Sequence, residues 1–278
     1  MIQYSNNDQK AGDDMNPSLD RLKQDLKNIG VSQGDVLVVH SSFKSMGHVE
    51  GGAACVIDAL KAAVGEEGTL VFPTFTYATS CESSFFSNTE TPSCVGYLSE
   101  FFRKSEGVLR TNHPTHSVAI WGALRDALNE GVELDDTPMG PHAPYRKFAG
   151  YGAKILMLGC SLSHNSILHA VEELAELPYV LRQHQEFTVV DSQGNVTQRR
   201  IRRHNFNRPD GRCILQRYDR TLDVLSEGDY SIAQIHGAQS ILLSSAALVE
   251  KALKKLQQDP LYFIDDPHGL YAHLRKNP

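Results

Sequence analysis

The spacing of apolar residues predicts alternating helices and strands in the first part of the chain. Between Pro17 and Gly30, leucines and an isoleucine recur every three or four residues, which predicts an amphipathic helix that stops at the glycine. The short apolar runs at 35–40 and 69–75 are typical of strands covered on both faces, and a helical pattern at 51–65 separates them. This strand–helix–strand order predicts a parallel pair of strands.

Later segments extend this pattern and then depart from it. Further strands are predicted at 117–122 and 154–160, followed by a helix at 163–177. Towards the C-terminus, the sequence predicts a hairpin that turns around residues 193–195, then one strand at 231–243 and a closing helix.

Together these elements predict an α/β fold, namely a single three-layer α/β/α domain at 16–278 with a mixed, partly parallel central sheet. Residues 1–15 are polar and acidic, so we expect a mobile tail rather than a signal or transit peptide. A length of 278 residues, of which 41% are hydrophobic and 22% charged, suits one large globular domain.

Composition narrows the cellular setting and the partners. No apolar run reaches the roughly 18 residues that span a membrane, so we expect no membrane association. Five cysteines without regular spacing are typical of a reducing compartment, which predicts a cytoplasmic protein. The net charge of −6 argues against general nucleic-acid binding. The sequence does not decide the oligomeric state, so whether the protein forms a homodimer is left undecided.

The predicted helix at 163–177 places one histidine on its polar face. At about 100° per residue, His169 falls opposite the apolar arc, on the side that also holds Glu172, Glu173 and Glu176. One interpretation is a solvated acidic face that happens to contain a histidine. The other is a histidine oriented by Glu172 one turn later, which is the pairing that a general base needs.

The loop at 38–52 lies between a buried strand and a helix and combines hydroxyl groups with glycines. Ser41, Ser42 and Ser45 offer hydroxyls, Gly47 lets the backbone turn, and the next helix presents the positive end of its dipole. Such a junction binds phosphate or pyrophosphate, although neither the P-loop motif nor the dinucleotide-binding glycine motif is present. The alternative is a loop whose glycines serve only its turns.

Two other motifs are less specific. His113 and His116 have the spacing of a metal-binding pair, but Pro114 excludes a regular helix and no cysteine or carboxylate lies nearby in sequence. We therefore expect no metal site. The G-x-S-x-S stretch at 159–163 resembles the nucleophile elbow of hydrolases but lacks its second glycine. It leaves a serine esterase or acylase that uses Ser161 as an alternative function.

Taken in order, five segments resemble the aminoglycoside 3-N-acetyltransferase family, which has the antibiotic N-acetyltransferase fold. They cover most of residues 18–180 and are VVHSSFKSMGHVEGG, EGTLVFPTFTY, NHPTHSVAIWG, TPMGPHAPYRKFAGYGAKILMLG and NSILHAVEE. The resemblance implies an α/β fold, acetyl-CoA or another short acyl-CoA as donor, and the amine of an amino sugar as acceptor. It also implies that His169 is the catalytic histidine, in an H-x-x-E motif with Glu172.

The resemblance and the residues together predict direct acyl transfer in a ternary complex, with His169 as general base and Glu172 as the residue that orients it. The residues predicted to bind CoA are Ser41, Ser42, Ser45, Gly47, Thr74, Thr115, His116 and Ser117. The residues predicted to bind the amino sugar are Tyr77, Tyr145, Arg202, Arg203 and Arg208. A sugar-binding protein without catalytic activity is the remaining alternative.

Two features of the sequence predict an anionic acceptor. Many members of the family have an aspartate six residues before the catalytic histidine, where this chain has Ser163. The segment 199–220 contains eight arginines against two aspartates, a charge that repels a polycationic drug and attracts a diphosphate. We therefore predict a dTDP- or UDP-linked amino sugar of surface polysaccharide synthesis, with an aminoglycoside, as in antibiotic resistance, as the alternative. The arginines could instead pair with acidic neighbours or bind the 3′-phosphate of CoA.

Overall fold

The computed structural model describes residues 17–206 and 211–275. The tail expected at residues 1–15 and the side chain of Arg208 lie outside these described residues. The strands are β1 (Val36–Ser41), β2 (Thr69–Pro73), β3 (Phe85–Ser87), β4 (Leu109–Arg110), β5 (Val118–Gly122), β6 (Lys154–Leu158), β7 (Leu181–Val190), β8 (Val196–His204), β9 (Leu215–Gln216), β10 (Tyr230–Ile235), β11 (Ala238–Ser244) and β12 (Ile264–Asp265). The helices are α1 (Pro17–Ile29), α2 (Gly52–Val64), α3 (Tyr77–Ser83), α4 (Tyr97–Phe102), α5 (Arg125–Asn129), α6 (Pro144–Lys147), α7 (Ile167–Leu174), α8 (Thr221–Val224) and α9 (Ser245–Gln258).

The central sheet mixes parallel and antiparallel strands. Its described strands follow the order β10-β11-β6-β1-β2-β5-β4. β1 is parallel to both neighbours, β2 and β6, whereas β5 and β11 run antiparallel to β2 and β6. The predicted parallel pair and the predicted mixed sheet are therefore confirmed. Ser41 at the end of β1 pairs with Leu158 at the end of β6, so two carboxyl ends lie side by side at one sheet edge. Ligands of α/β proteins commonly bind at such an edge.

The two faces of β1 explain the layered architecture. Leu37 and Val39 belong to a core formed with α1 and α2, while Val38 belongs to a second core formed with α7 and α9. Because successive residues of a strand point to opposite faces, one continuous apolar run can pack against both helical layers. The arrangement is the α/β/α architecture that the sequence predicts.

The hairpin of β7 and β8 forms a second sheet, in which β3 pairs with β7. Its turn is closed by Asp191, whose Oδ1 accepts hydrogen bonds from the backbone N–H groups of Gln193 and Asn195. The predicted hairpin is confirmed. At its other end, the hairpin brings His204 into contact with α7, where the imidazole stacks on that of His169 with ring centroids 4.4 Å apart.

The helix predicted at 163–177 is shorter in the structure. A single 3-10 turn at Leu162–His164 precedes α7, and Glu176 adopts a left-handed backbone conformation with φ of 52°. The apolar arc of α7 is buried as predicted. None of the helices in the described ranges combines the length and the hydropathy needed to cross a membrane.

The single strand predicted at 231–243 is instead the hairpin of β10 and β11. The chain reverses at His236-Gly237, and His236 has a positive φ of 55°. A side chain on Gly237 would bring its Cβ to within 2.7 Å of the Met46 carbonyl oxygen, so the turn packs directly on the segment after β1. The reversal places β11 beside β6 in the central sheet.

Candidate active site

A cleft of about 750 Å³ opens beside the carboxyl ends of β1 and β6. Its walls come from the residues that follow β1, the loop before β5, the first turn of α7, the end of β8 and the segment around Tyr218. His169 lines this cleft together with His116 and His204. The polar face of α7, where the sequence predicts the catalytic histidine, therefore faces this cleft.

His169 is held by a chain of two hydrogen bonds. The hydroxyl of Tyr218 lies 2.8 Å from His169 Nδ1 and donates to Glu172 Oε2 over 2.5 Å. A phenol has one proton, so the oxygen that donates to Glu172 accepts from His169. This assignment places a proton on Nδ1 and leaves the lone pair of Nε2 for other chemistry.

Glu172 therefore acts on His169 through Tyr218 rather than directly. Its Oε2 lies 3.8 Å from Nδ1, beyond hydrogen-bond distance, and the carboxylate is fully buried. The interpretation of the polar arc as a solvated acidic face is wrong for Glu172, because Tyr218 and Tyr179 cover it. Burial, followed by the charge of Glu172, raises the pKa of both phenols well above their ordinary value, which keeps them protonated donors.

A cluster of three imidazoles surrounds the reacting end of the cleft. The rings of His116 and His204 have centroids 4.7 Å apart, and His116 lies 5.9 Å from His169. Burial lowers the pKa of His116 and His204 well below the ordinary histidine value, so both are neutral near pH 7. His204 Nε2 lies 2.8 Å from Glu173 Oε1, and burial raises the pKa of that carboxyl to about 7.

The loop after β1 contributes only part of the predicted CoA site to the cleft. Ser41 and Ser42 line it, whereas Ser45 and Gly47 do not. Ser45 donates its hydroxyl proton to Ser42 Oγ over 2.8 Å, and the 3-10 turn Phe43–Met46 separates the cleft from the start of α2. The N-terminus of α2 also lies outside the cleft lining, so its contact with a CoA phosphate stays a prediction.

Of the four residues near β2 and β5 that were predicted to bind CoA, two line the cleft and two do not. Thr115 and His116 line the cleft, but Thr74 and Ser117 are fully buried behind it. Ser117 donates to the Thr74 carbonyl oxygen over 2.8 Å and accepts from Arg110 Nε over 3.1 Å. The Ser117 hydroxyl and the Thr74 carbonyl oxygen, which accepts from another nitrogen of Arg110 over 2.9 Å, hold the buried guanidinium in place. Both side chains are fully buried, which leaves no surface with which they could contact CoA as predicted.

The residues predicted to bind the amino sugar also divide between the cleft and other locations. Tyr77 and Arg203 line the cleft. Tyr145 is 1% exposed and packs against Phe148 in the core, so it cannot contact a ligand there. Arg202 lies outside the lining and donates from Nε to the carbonyl oxygen of Arg182 over 3.0 Å.

Several side chains of the arginine-rich segment are paired with neighbouring groups. Arg217 and Arg220 both form ion pairs with Asp265, at 2.6 and 2.8 Å. Arg199 donates to the backbone carbonyl oxygen of Asn112 over 3.0 Å. Pairing with acidic and carbonyl groups therefore accounts for these three side chains.

Ser161 does not lie where a nucleophile would be needed. It is exposed, lies outside the cleft lining, and accepts hydrogen bonds from the backbone and the side chain of Ser163 at 3.2 and 2.9 Å. Its φ of −69° shows no strained elbow. The placement removes the basis for the serine-hydrolase alternative.

Several residues that line the cleft were not predicted from the sequence. Tyr218, His204, Arg182 and Phe206 all line the cleft, and none shares a motif with His169. Tyr218 is 49 residues from His169 in the chain, so no local periodicity connects the two. The high density of histidines in the sequence is the one signal that could have drawn attention to His204.

Comparison with known proteins agrees with this geometry. Residues 38–257 match the family model of aminoglycoside 3-N-acetyltransferases. Aminoglycoside N(3)-acetyltransferase III of Serratia marcescens is 31% identical over 205 residues, which cover 64% of this chain and 72% of the relative. Aminoglycoside N(3)-acetyltransferase IV of a Salmonella species is 28% identical over 254 residues, which cover 90% of this chain and 91% of the relative.

Solved structures show the same fold with ligands of the expected chemistry. Aminoglycoside acetyltransferase AAC(3)-IVa in complex with a gentamicin superposes with a TM-score of 0.76 at 28% identity, covering 90% of this chain and 92% of that one. The binary complex of AAC-IIIb with CoASH superposes with a TM-score of 0.72 at 25% identity, covering 86% and 96%. The chain therefore belongs to the aminoglycoside 3-N-acetyltransferase family and is an N-acetyltransferase that uses acetyl-CoA.

Proposed function

We propose that the protein transfers the acetyl group of acetyl-CoA to an amine of an aminoglycoside, with His169 as general base. The observation that supports this role is the hydrogen-bonded chain from Glu172 through Tyr218 to His169 Nδ1, because it leaves Nε2 free to accept a proton in the cleft. The family's relatives favour an aminoglycoside acceptor over the nucleotide-linked sugar that the sequence predicts.

The residues around His169 explain how the base can work. An amine reaches the cleft mainly as an ammonium ion, and its nitrogen attacks a carbonyl carbon only once a proton has been removed. As Nε2 takes that proton, the imidazolium that forms is stabilised by Glu172 through the Tyr218 hydroxyl. The new C–N bond forms and the C–S bond breaks. The ammonium ion loses two protons in becoming an amide, so one passes through His169 to the departing thiolate of CoA and the other leaves to solvent.

Direct transfer is more consistent with the cleft than an acyl-enzyme. Cys160 lines the cleft, but burial raises the pKa of its thiol to about 12, so hardly any thiolate is present near pH 7. Burial also raises the pKa of Cys94, a second thiol of the cleft lining that lies close to Tyr77. Neither thiol has the depressed pKa expected of an acyl carrier.

Four residues of the cleft lining have a buried polar atom without a partner among the described residues, His40 and His204 among them. Ser41 Oγ and Gln216 Nε2 are buried beside the cleft, and neither has a hydrogen-bond partner among the described residues. Buried polar atoms are nearly always paired in folded proteins, so a bound substrate is their natural partner. We propose that Ser41 and Ser42 contact the CoA chain there.

The base is tested by His169→Asn, which retains a polar side chain of smaller size. We expect kcat to fall by about 10²–10⁴-fold, with little change in the KM for acetyl-CoA, measured by release of the CoA thiol. His268→Asn is the control, because His268 is exposed and lies outside the cleft lining. Near-normal kcat in the His169→Asn variant would reject the assignment.

One observation keeps a nucleotide-linked amino sugar as a second candidate acceptor. Among the described residues that line the cleft, none is a carboxylate, whereas Arg182 and Arg203 both face it. Aminoglycosides carry several positive charges, which this lining does not complement, while arginine binds phosphate oxygens well.

The two acceptors are separated by kcat/KM for kanamycin-class aminoglycosides and for dTDP- or UDP-linked amino sugars. If an aminoglycoside is the acceptor, we expect the drugs to be the better substrates and Arg203→Ala to leave their kcat/KM unchanged or higher. If the sugar nucleotide is the acceptor, Arg203→Ala lowers kcat/KM for it. Arg200→Ala is the matched control, since Arg200 is on the same strand but lies outside the cleft lining.

A further inference from the structure

Three histidines from separate elements meet at the inner end of the cleft. His116 precedes β5, His169 lies on α7 and His204 ends β8. One ring nitrogen of each lies within 4.8 Å of the ring nitrogens offered by the other two. The sequence spacing pairs His116 only with His113, and the fold instead combines it with two distant histidines.

Each of the three rings is oriented by a hydrogen bond through one nitrogen. His169 Nδ1 contacts Tyr218 Oη at 2.8 Å, and His116 Nδ1 contacts Thr115 Oγ1 at 2.9 Å. His204 Nε2 contacts the carboxyl of Glu173 at 2.8 Å. Imidazoles that bind metal ions typically donate the other N–H to a carboxylate, a backbone carbonyl or a water, and a hydroxyl oxygen can accept it in the same way.

The opposite nitrogen of His204 supplies independent evidence for a ligand. His204 Nδ1 is buried, and no described residue offers it a hydrogen bond. Glu173 Oε1 also accepts from the backbone N–H of Met139, so we assign the proton between it and His204 to Nε2, which leaves an unused lone pair on Nδ1. A buried lone pair without a partner is rare, and a cation beside it would satisfy it.

We propose that this histidine cluster, His116, His169 and His204, binds a Zn²⁺ ion, with a solvent molecule as the fourth ligand. Three imidazoles and an open position form one of the common zinc sites, and imidazole is a preferred ligand of zinc. Tetrahedral geometry with Zn–N bonds of about 2.0–2.1 Å separates the nitrogens by roughly 3.4 Å. The rings therefore need to approach one another by about 1.5 Å at most, a distance within reach of small side-chain rotations.

Zinc binding has a consequence for acetyl transfer that rests on the proposed function. His169 has its Nδ1 bonded to Tyr218, so Nε2 is both its free basic atom and its free ligand atom. A nitrogen that binds Zn²⁺ cannot accept a proton from the amine. The ion is therefore expected to inhibit the enzyme reversibly, and the site couples activity to the availability of divalent transition metals.

The site is tested by titrating Zn²⁺ into the untagged, chelator-treated full chain in a calorimeter. We expect one ion per chain, and affinity lower by at least about 10-fold in His204→Gln and His116→Gln. His164→Gln is the matched control, because His164 lines the same cleft without belonging to the cluster, and it should bind zinc like the unaltered chain. Absence of saturable binding, or unchanged affinity in His204→Gln, would overturn the proposal.

A second measurement uses the unaltered chain, so its result does not depend on whether the variants fold. X-ray absorption at the zinc edge should show three imidazole nitrogens at about 2.0–2.1 Å. A spectrum with one imidazole, or with carboxylate oxygens in place of nitrogen, would contradict the histidine cluster as the ligand set.

Assays of acetyl transfer with and without zinc distinguish the zinc site from the proposed role of His169 as general base. Inhibition by stoichiometric zinc, relieved by chelator, supports both the site and the role of His169. Stoichiometric binding to the histidine cluster with undiminished transfer would retain the zinc site and reject His169 as the base. An enzyme that requires His169 but binds no zinc would retain the base and reject the site.

Discussion

Tyr218 is the residue on which the geometry of the catalytic histidine depends. Its ring packs edge-on against His169, with centroids 5.2 Å apart, and its hydroxyl joins His169 Nδ1 to the buried Glu172 carboxylate. A buried carboxylate without such a donor is costly, and an imidazole without such an acceptor can take either tautomer. One hydroxyl therefore serves both the stability of α7 and the direction of proton transfer.

Tyr218→Phe tests this role of the hydroxyl. The ring contact remains while the hydroxyl is lost, so we expect kcat to fall by about 10–100-fold and the pH at half-maximal kcat to move. The measurement is kcat against pH with saturating substrates.

Tyr179→Phe is the matched control for Tyr218→Phe. Tyr179 lies 3.4 Å from the other oxygen of Glu172 and donates to the carbonyl oxygen of Pro260 over 3.1 Å. Its removal should lower stability by about 1–3 kcal/mol without moving the pH profile of kcat. A profile that moves equally in both variants would show that Tyr218 is only structural.

The same residues show what sequence reasoning can predict about a site. His169 and Glu172 are three residues apart, and helical periodicity alone places them on one face. That the face is buried depends on Tyr218 and His204, which lie 49 and 35 residues away in sequence. Charged arcs usually face solvent, and only tertiary packing reverses that expectation.

At the scale of elements, the end of β6 is constrained by the turn of another hairpin. Gly159 follows β6 with φ of +65°, and a Cβ there would lie 2.7 Å from the Ala238 Cβ and 2.9 Å from the Ser45 Cβ. The glycine thus lets β11 and the segment after β1 close on β6. Its role is steric as well as conformational.

Gly159→Ala is expected to lower the free energy of unfolding by roughly 2–4 kcal/mol, since it adds backbone strain to overpacking. Gly152→Ala provides the comparison, because Gly152 has nearly the same φ of +62° but nothing within 4 Å of the added Cβ. It should cost only about 1–2 kcal/mol. Urea unfolding of both variants measures the difference, and equal losses would show that the contacts at Gly159 do not matter.

Elements with a local sequence signal were predictable, and a turn without such a signal was not. The buried run of β1, the helix α2 and the turn of the β7–β8 hairpin each have a signal within a few residues. The reversal at His236 has none, because a histidine with positive φ is uncommon and the apolar spacing continues through it. Contacts between the turn and Met46 stabilise the reversal, and such contacts exist only in the folded chain.

At the scale of the whole molecule, buried neutral histidines link stability to pH. Burial lowers the pKa of His40 and His113 to about 3, and it lowers that of His116 and His204 well below the ordinary 6.5. Below pH 6.5 the unfolded chain binds protons that the folded chain excludes, so stability falls as pH falls. Glu173 acts in the opposite direction between pH 4.5 and 7, because burial raises its pKa to about 7 and the folded chain holds that proton more tightly.

The histidines outnumber Glu173, so the net effect is loss of stability in mild acid. Each excess proton of the unfolded state contributes about 1.4 kcal/mol per pH unit, and three such protons give roughly 4 kcal/mol per unit. Between pH 6.5 and 5 the loss amounts to roughly 6 kcal/mol, so a protein at the lower end of ordinary stability, about 5 kcal/mol, should unfold near pH 5. His113→Asn should reduce this slope by about 1.4 kcal/mol per pH unit, because the amide does not bind a proton. Its oxygen can still replace Nδ1 as acceptor for the backbone N–H groups of Thr115 and His116. His268→Asn should leave the slope unchanged, because His268 is exposed. Urea unfolding at pH 7.0, 6.0 and 5.5 measures these slopes, and a free energy of unfolding that stays constant over that range would contradict the burial of neutral imidazoles as the cause of acid sensitivity.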